Sequence, residues 1–289
     1  MIPGSLDSPH MSLWLLNHFS TSTLTVVIVG GTVALAVAGS MYTRRRYPSL
    51  AEGEHNDMVG VTLGMFGAIY GIILAFVIVT LWTQLESTQT VVATEATDAA
   101  LIARDAAAFP APVRDRLDVA LSGYVHGVVE KQWPLMRAGT PEYDATAGKL
   151  QAVFEVLQSY EPKTAREEVF YEEAVSHLND VAAQRRARLT MAEQQLPPLL
   201  QLLAFGGALV LIPLTFLYGM RRRRIQILFV ASVAGLIGFS LLLVLVLDRP
   251  FAGELSVSPA PYRQGALAQY WTESPDQPPT AAPAEENIP

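Results

Sequence analysis

The sequence predicts an all-α membrane protein with four transmembrane helices and a helical extramembrane bundle inserted between the second and third. Three features carry that expectation: four long apolar runs, two arginine clusters in short connections, and helical periodicity through the segment between the middle runs. Of 289 residues, 51% are hydrophobic and 16% charged, a balance that indicates a membrane protein when the apolar residues are contiguous.

The candidate spans are Leu24 to Tyr42, Val59 to Trp82, Leu199 to Met220 and Ile225 to Leu247. Each meets the requirement of about 20 predominantly apolar residues for crossing a bilayer. No basic residue precedes the first run and Arg44, Arg45 and Arg46 follow it, so it reads as an anchored span and not as a cleaved signal. Residues 1–10, MIPGSLDSPH, read as the remnant of a cloning linker, with Met11 as the native start. The first two transmembrane helices then occupy residues 11–83 and the last two residues 197–251.

Arg44 to Arg46 and Arg221 to Arg224 lie in the two short connections. Short arginine-rich loops stay cytoplasmic, whereas long translocated segments are largely exempt from the count. Both termini and residues 84–196 are therefore expected on the extracytoplasmic side of a bacterial inner membrane. That outer face is acidic: residues 84–196 carry 17 acidic and 11 basic side chains, and the tail from Asp248 adds six and two. Such a field attracts cations, within a screening length of about 8 to 10 Å.

Residues 84–196 read as a helical domain. Leu117, Leu121, Tyr124 and Val128 share one helical face, and Leu150, Val153, Phe154 and Leu157 share another. No breaker falls between Gln84 and Phe109, so the second span is expected to continue outward as one helix. Thr164 and Glu167 form a capping box that starts a long helix running to the Pro197-Pro198 pair. Residues 252–289 are rich in proline and poor in bulky residues, which predicts a mostly disordered tail.

Enzyme chemistry has no constellation behind it. The chain has no cysteine, and His10, His18, His55, His126 and His177 show no ligand spacing. A phosphate-cradling Walker loop, a Gly-x-Ser-x-Gly elbow and a zinc-protease helix are all missing from the sequence. No ionisable residue but tyrosine lies within the spans, which argues against a proton-coupled transporter. No cofactor, metal site or nucleic-acid partner is expected.

The second span carries the strongest signal. In GVTLGMFGAIYG, Gly60, Gly64, Gly67 and Gly71 return to one side of a helix with 3.6 residues per turn. Two readings stay open: small residues that let helices approach closely, or a face around an oligomer's axis, where missing side chains leave a passage. Asn56 and Asp57 at one end of this helix, and Thr80 and Gln84 at the other, are candidate pore-mouth residues. Arg185, Arg186 and Arg188 are candidate vestibule charges, or salt-bridge partners of Glu95, Asp98 and Asp105.

Four stretches, HNDMVGVTLGMFGAIYGIILAFVIVTLW, EKQWPLM, EPKTAREEVFYEEAVSHLNDVAAQRRARL and LDRPFAGELSVSPAPY, together resemble the bacterial membrane family called bestrophin-like, over about Asn56 to Tyr262. The resemblance implies a homo-oligomeric ion channel, pentameric and anion-selective, with the second transmembrane helix around the axis and with membrane lipid and inorganic ions as partners. Two features differ from bestrophins proper. The acidic calcium-binding run is missing, so calcium gating is not carried over, and the arginines place the helical insertion outside rather than in the cytoplasm. A cation channel favoured by the acidic outer face, and a non-conducting sensor or scaffold with a periplasmic binding domain, are the alternatives. Within the resemblance, Asp248 and Arg249 are expected to form an ion pair tying the tail down, and Pro213 to bend the third span.

Overall fold

A computed structural model describes residues 8–51, 53 and 55–271. Among the described residues all regular structure is helical: α1 (Ser8–His18), α2 (Thr21–Arg46), α3 (Asn56–Asp105), α4 (Ala111–His126), α5 (Trp133–Arg137), α6 (Ala147–Gln158), α7 (Ala165–Glu193), α8 (Pro198–Leu214) and α9 (Arg223–Leu247). Four helical stretches are long and apolar enough to cross a membrane, and they contain the four runs expected from the sequence. In a bilayer each backbone amide must be satisfied within its own segment, which is why these runs adopt helix.

Local chemistry sets the ends. Ser20 caps α2, its Oγ accepting from the Thr23 amide, and Arg44, Arg45 and Arg46 close the last turn, where the helix dipole favours cations. Pro197 and Pro198 open α8, where a missing N–H costs nothing. Pro213 stands one residue before the end of α8, and the chain passes directly into a 3-10 turn at Thr215–Leu217. The Thr164 hydroxyl accepts from the Glu167 amide, as the capping box requires. The Glu167 carboxylate accepts from the Lys163 amide at 2.8 Å and the Tyr160 hydroxyl at 2.7 Å, and the Thr164 amide adds a weaker contribution. The expected long helix duly begins at Ala165.

The chain divides into two compact units. The first comprises Met1–Val91, Gln132–Tyr143 and Arg186–Ser258. Its core is the seam between α2 and α9, where Ala36 meets Val230 and Ala234, and Leu24 meets Leu242 and Val246. Gly238 makes this approach close: a Cβ there would stand 3.3 Å from the Val29 Cα. Helix α1, unforeseen in the sequence, adds Leu13 and Leu16 to the seam. It starts at Ser8, ahead of Met11; residues 1–7 of the expected linker lie outside the described residues. Asp248 does more than the sequence suggests. Its Oδ1 accepts from the Leu196 amide at 2.6 Å and so holds the chain entering α8, while its charge and that of Arg249 attract each other.

The second unit comprises Val92–Lys131, Asp144–Arg185 and Pro259–Pro289. Helices α4 and α6 pack through the two faces legible in the sequence, with Leu117, Leu121, Val153 and Leu157 almost fully buried. The outer part of α3 contributes Ala99 and Ile102, and α7 contributes Leu178 and Val181. Tyr124 donates its hydroxyl to the buried Glu95 carboxylate at 2.6 Å. The disordered-tail expectation fails for residues 252–271. Pro259 and Pro261 set up a short 3-10 turn, Tyr262 and Leu267 are completely buried, and the Tyr270 hydroxyl donates to Asp118 at 2.9 Å. Aromatic anchors outweigh the proline count here; residues 272–289 lie outside the described residues.

His126 holds the end of that segment. Its Nδ1 lies 2.9 Å from Glu130 Oε1, its Nε2 2.9 Å from the Tyr270 carbonyl, and its ring 4.1 Å from the Trp271 ring. Both nitrogens face acceptors, and only the imidazolium donates from both. Partial burial lowers the pKa, but the hydrogen bonds to Glu130 and Tyr270 and the Glu130 charge outweigh it, so the pKa stands above the ordinary histidine value. This contribution to stability is complete below the unfolded value near 6.5 and is lost as pH rises through the raised value. Amide exchange at residues 262–271 is therefore expected to quicken, beyond its intrinsic base catalysis, as pH rises above 6.5 and through the raised value. His126→Asn is expected to remove that excess; an excess that persists unchanged in the variant would refute the anchoring.

Candidate pore helix and its neighbours

Helix α3 is 50 residues long, about 75 Å at 1.5 Å per residue, more than twice the roughly 30 Å hydrocarbon thickness. Its apolar part ends near Trp82, and beyond that point it carries Gln84, Glu86, Glu95 and Asp98. One face of the helix is spent within the chain, with Tyr70, Leu74, Val77, Leu81 and Leu85 all buried. Tyr70 sets that face. Its hydroxyl donates to the Ala204 carbonyl of α8 at 2.6 Å, and its ring occupies the space that a Cβ on Gly207 would need.

The glycine stripe lies elsewhere. At about 100° per residue, Gly60, Gly64, Gly67 and Gly71 centre roughly 70° from the buried stripe. A Cβ added at Gly64, Gly67 or Gly71 would meet nothing within 4 Å, and one at Gly60 would meet only Tyr218, at 3.5 Å. Ala68 and Ala75, both exposed, extend the same flank. Large exposed side chains, Val61, Met65, Ile72, Phe76 and Val79, occupy the side beyond it. Some other span glycines serve internal packing, Gly39 against Phe216, Gly207 against Tyr70 and Gly238 against α2, whereas Gly30 and Gly31 of α2 also meet nothing within 4 Å. The apolar window of α3 is 17% buried, as is that of α2, against 22% for the third span and 44% for α9.

The pore-mouth residues do not gather on this flank. Asp57 does: exposed in the first turn, it lies seven residues, about two turns, before Gly64. Asn56 is otherwise engaged, its Nδ2 donating to the Gly219 carbonyl at 2.7 Å and its Oδ1 accepting from the Gly219 amide at 2.8 Å. It therefore ties α3 to the turn before α9 and is not a free collar residue. Thr80 stands nine residues from Gly71, half a turn out of phase, and its hydroxyl returns to the Phe76 carbonyl. Gln84 also falls on the far side of the helix, 3.4 Å from Gln194. A count at 3.6 residues per turn already separates both from the glycines.

Arg188 corrects the vestibule expectation. It is completely buried and donates to Gln132 at 3.0 Å and to the Met136 sulfur at 3.4 Å, so it holds the interior of the first unit and lines no aqueous space. Arg185, in the second unit, donates to the Thr146 hydroxyl at 3.0 Å, and Arg186 is exposed.

The second unit also assembles a cluster that sequence reading missed. Ligand atoms of Asp98, His177 and Asp180 lie within 4.8 Å of one another. Asp98 Oδ2 and His177 Nδ1 are buried without hydrogen-bond partners, and His177 Nε2 lies 3.8 Å from Asp105. Burial raises the Asp98 pKa, helped by the charges of Asp180 and Glu95 and opposed by His177. One imidazole and two carboxylates are donors of the kind that zinc or manganese takes. The signal was present as His177 and Asp180 at helical i, i+3 spacing; its third member comes from a helix about eighty residues earlier in the chain.

Four apolar helices, an arginine-marked end and a free small-residue flank define a multi-pass helical membrane protein. The chain matches the family described as Bestrophin-like domain over residues 30–262 and belongs to that family, whose name points to membrane ion channels and not to enzymes. No curated protein and no solved structure matches the chain.

The Asn56 bonds make a direct test. Asn56→Ala leaves the amide and carbonyl of Gly219 without partners in a half-buried site, so it is expected to lower stability by about 1 to 3 kcal/mol. Thermal unfolding in detergent measures it, and an unchanged midpoint would refute the anchoring role.

Proposed function

We propose that the protein is a homo-oligomeric ion channel in which copies of α3 surround a central axis. One observation carries this reading: the small-residue flank of α3 meets no side chain of its own chain over Gly64, Gly67 and Gly71. Against lipid tails a bare flank forfeits van der Waals contact and gains nothing. Around an axis it lets neighbouring helices close up at one level and exposes backbone carbonyl oxygens to ions at another. Membership of the bestrophin-like family supports conduction, and resemblance to bestrophins suggests five subunits.

In this reading the arginines of the two short connections face the cytoplasm of a bacterial inner membrane. The termini and a helical bundle, formed by the outer part of α3 with α4, α6 and α7, then lie outside. Inorganic ions and membrane lipid are the partners, and no cofactor takes part.

Selectivity has two readings. The family resemblance suggests anions. Asp57 favours cations, because it shares the flank with Gly64 and would form an acidic ring at the inner mouth. The acidic outer residues add to the same preference.

Reconstitution into liposomes tests both points. Wild type is expected to pass ions down an imposed gradient, and Gly64→Leu and Gly67→Leu are each expected to abolish flux or break the oligomer. Flux absent under every ionic gradient from a folded oligomer would overturn conduction in favour of a sensor or scaffold. Wild-type conductance and oligomer size in both variants would overturn the pore assignment. If Asp57 lines the mouth, Asp57→Lys shifts the reversal potential toward anion selectivity; an unmoved potential removes Asp57 from the ion path.

A further inference from the structure

We infer that the arginine-bearing ends of α2 and α9 form a binding site for a phosphate group, of the kind carried by an anionic phospholipid headgroup. A cavity of about 180 Å³ opens there, walled by Ser40, Arg44 and Arg45 of α2 and by Arg223 and Gln226 of α9. Three of these side chains are guanidinium cations, and no acidic residue lines the cavity. The walls belong to the first unit.

The inner wall holds unspent hydrogen-bonding groups. Gln226 is 2% exposed, yet neither Nε2 nor Oε1 has a partner. Arg44 gives Nη2 to the Met220 carbonyl and leaves Nη1 buried without one. Buried polar groups in folded proteins are paired almost without exception, so an orphaned amide beside an orphaned guanidinium nitrogen marks a place for a ligand. Helix α9 adds to this. It begins at Arg223, runs 25 residues, and has no side-chain cap, and although the Ile225 amide returns to the Arg222 carbonyl, the positive end of the helix dipole lies in the turn that carries Arg223 and Gln226 of the cavity wall.

The donors identify the ligand class. Guanidinium groups match the oxygens of phosphate in geometry as well as charge. Nη1 of Arg44 and Nε2 of Gln226 supply two donors to phosphate oxygens, and Arg45 and Arg223 close the outer side. Oε1 of Gln226 needs a donor in return. The glycerol hydroxyl of phosphatidylglycerol supplies one, and so does the proton of hydrogen phosphate. Choline supplies none and brings a cation toward three arginines. The cavity lies where apolar helix gives way to arginine, the level of the headgroups in a bilayer.

Native mass spectrometry of the full chain in dodecyl maltoside tests this, titrated separately with phosphatidylglycerol, phosphatidylcholine and inorganic phosphate. One phosphatidylglycerol per chain is expected to be retained in preference to phosphatidylcholine. Arg45→Ala and Arg223→Ala, both exposed and tolerable to the fold, are each expected to weaken it about fivefold. Gln226→Leu and Arg44→Ala are expected to weaken it at least as much. Phosphatidylglycerol that resists displacement by millimolar inorganic phosphate makes the occupant a lipid. Displacement that depends on the same four residues makes it free phosphate. Equal retention of the two lipids, or undiminished phosphatidylglycerol binding in all four variants, would overturn the site. Neither outcome depends on whether the protein conducts.

Discussion

The hydroxyl of Tyr70, bonded to the Ala204 carbonyl within an apolar stretch, fixes which way α3 faces. A phenol facing hydrocarbon must find a partner, and only one rotation of the helix reaches this carbonyl while the ring seats against Gly207. That rotation spends Leu74, Val77 and Leu81 on the chain's own interior and turns Gly64, Gly67 and Gly71 away from it. Asn56 secures the same helix at its start through paired bonds to Gly219. Two polar contacts, one at the end and one in the middle, thereby decide what the helix presents to other molecules.

The seam between α2 and α9 lies apart from this arrangement. Gly238 and Ala36 let those helices close tightly, so part of the first unit's core is a seam that α3 does not enter. Helix α3 remains mostly uncovered along its apolar length, and its helical bonding is unbroken from Asn56 to Asp105. In the second unit its Val92, Ala96, Ala99 and Ile102 are buried, Glu95 accepts from the Tyr124 hydroxyl of α4, and Asp98 approaches His177 and Asp180 of α7. A single helix thus carries both the candidate pore flank and the buried Asp98 that joins His177 and Asp180.

Much of this was readable in advance because two strong physical signals dominate it. Apolar length against bilayer thickness located the four spans, and 3.6-residue periodicity located the buried faces of α4 and α6. Helix α3 ran unbroken to Asp105 because nothing between Gln84 and that point interrupts a helix. Features made by contact across the chain were hidden. Asn56 read as a pore-mouth residue until Gly219, 163 residues away, took both of its amide atoms. Arg188 looked like a surface charge because nothing local shows that Gln132 and Met136 enclose it. Residues 252–271 read as disordered from proline content, whereas Tyr262, Leu267 and Tyr270 find cavities and partners that composition does not record. The separation of Thr80 and Gln84 from the glycines needed no structure at all, only the helical angle.

Because the chain has no native cysteine, single cysteines placed along residues 57–76 report water access to α3 without background. If copies of this flank surround an aqueous axis, a membrane-impermeant thiol reagent reacts with Asp57→Cys, Gly64→Cys, Ala68→Cys, Gly71→Cys and Ala75→Cys in the reconstituted oligomer, and spares Phe66→Cys, Ile69→Cys and Ile73→Cys. Reaction on the second set with protection of the first, or protection at every position, would contradict a pore built on the glycine flank.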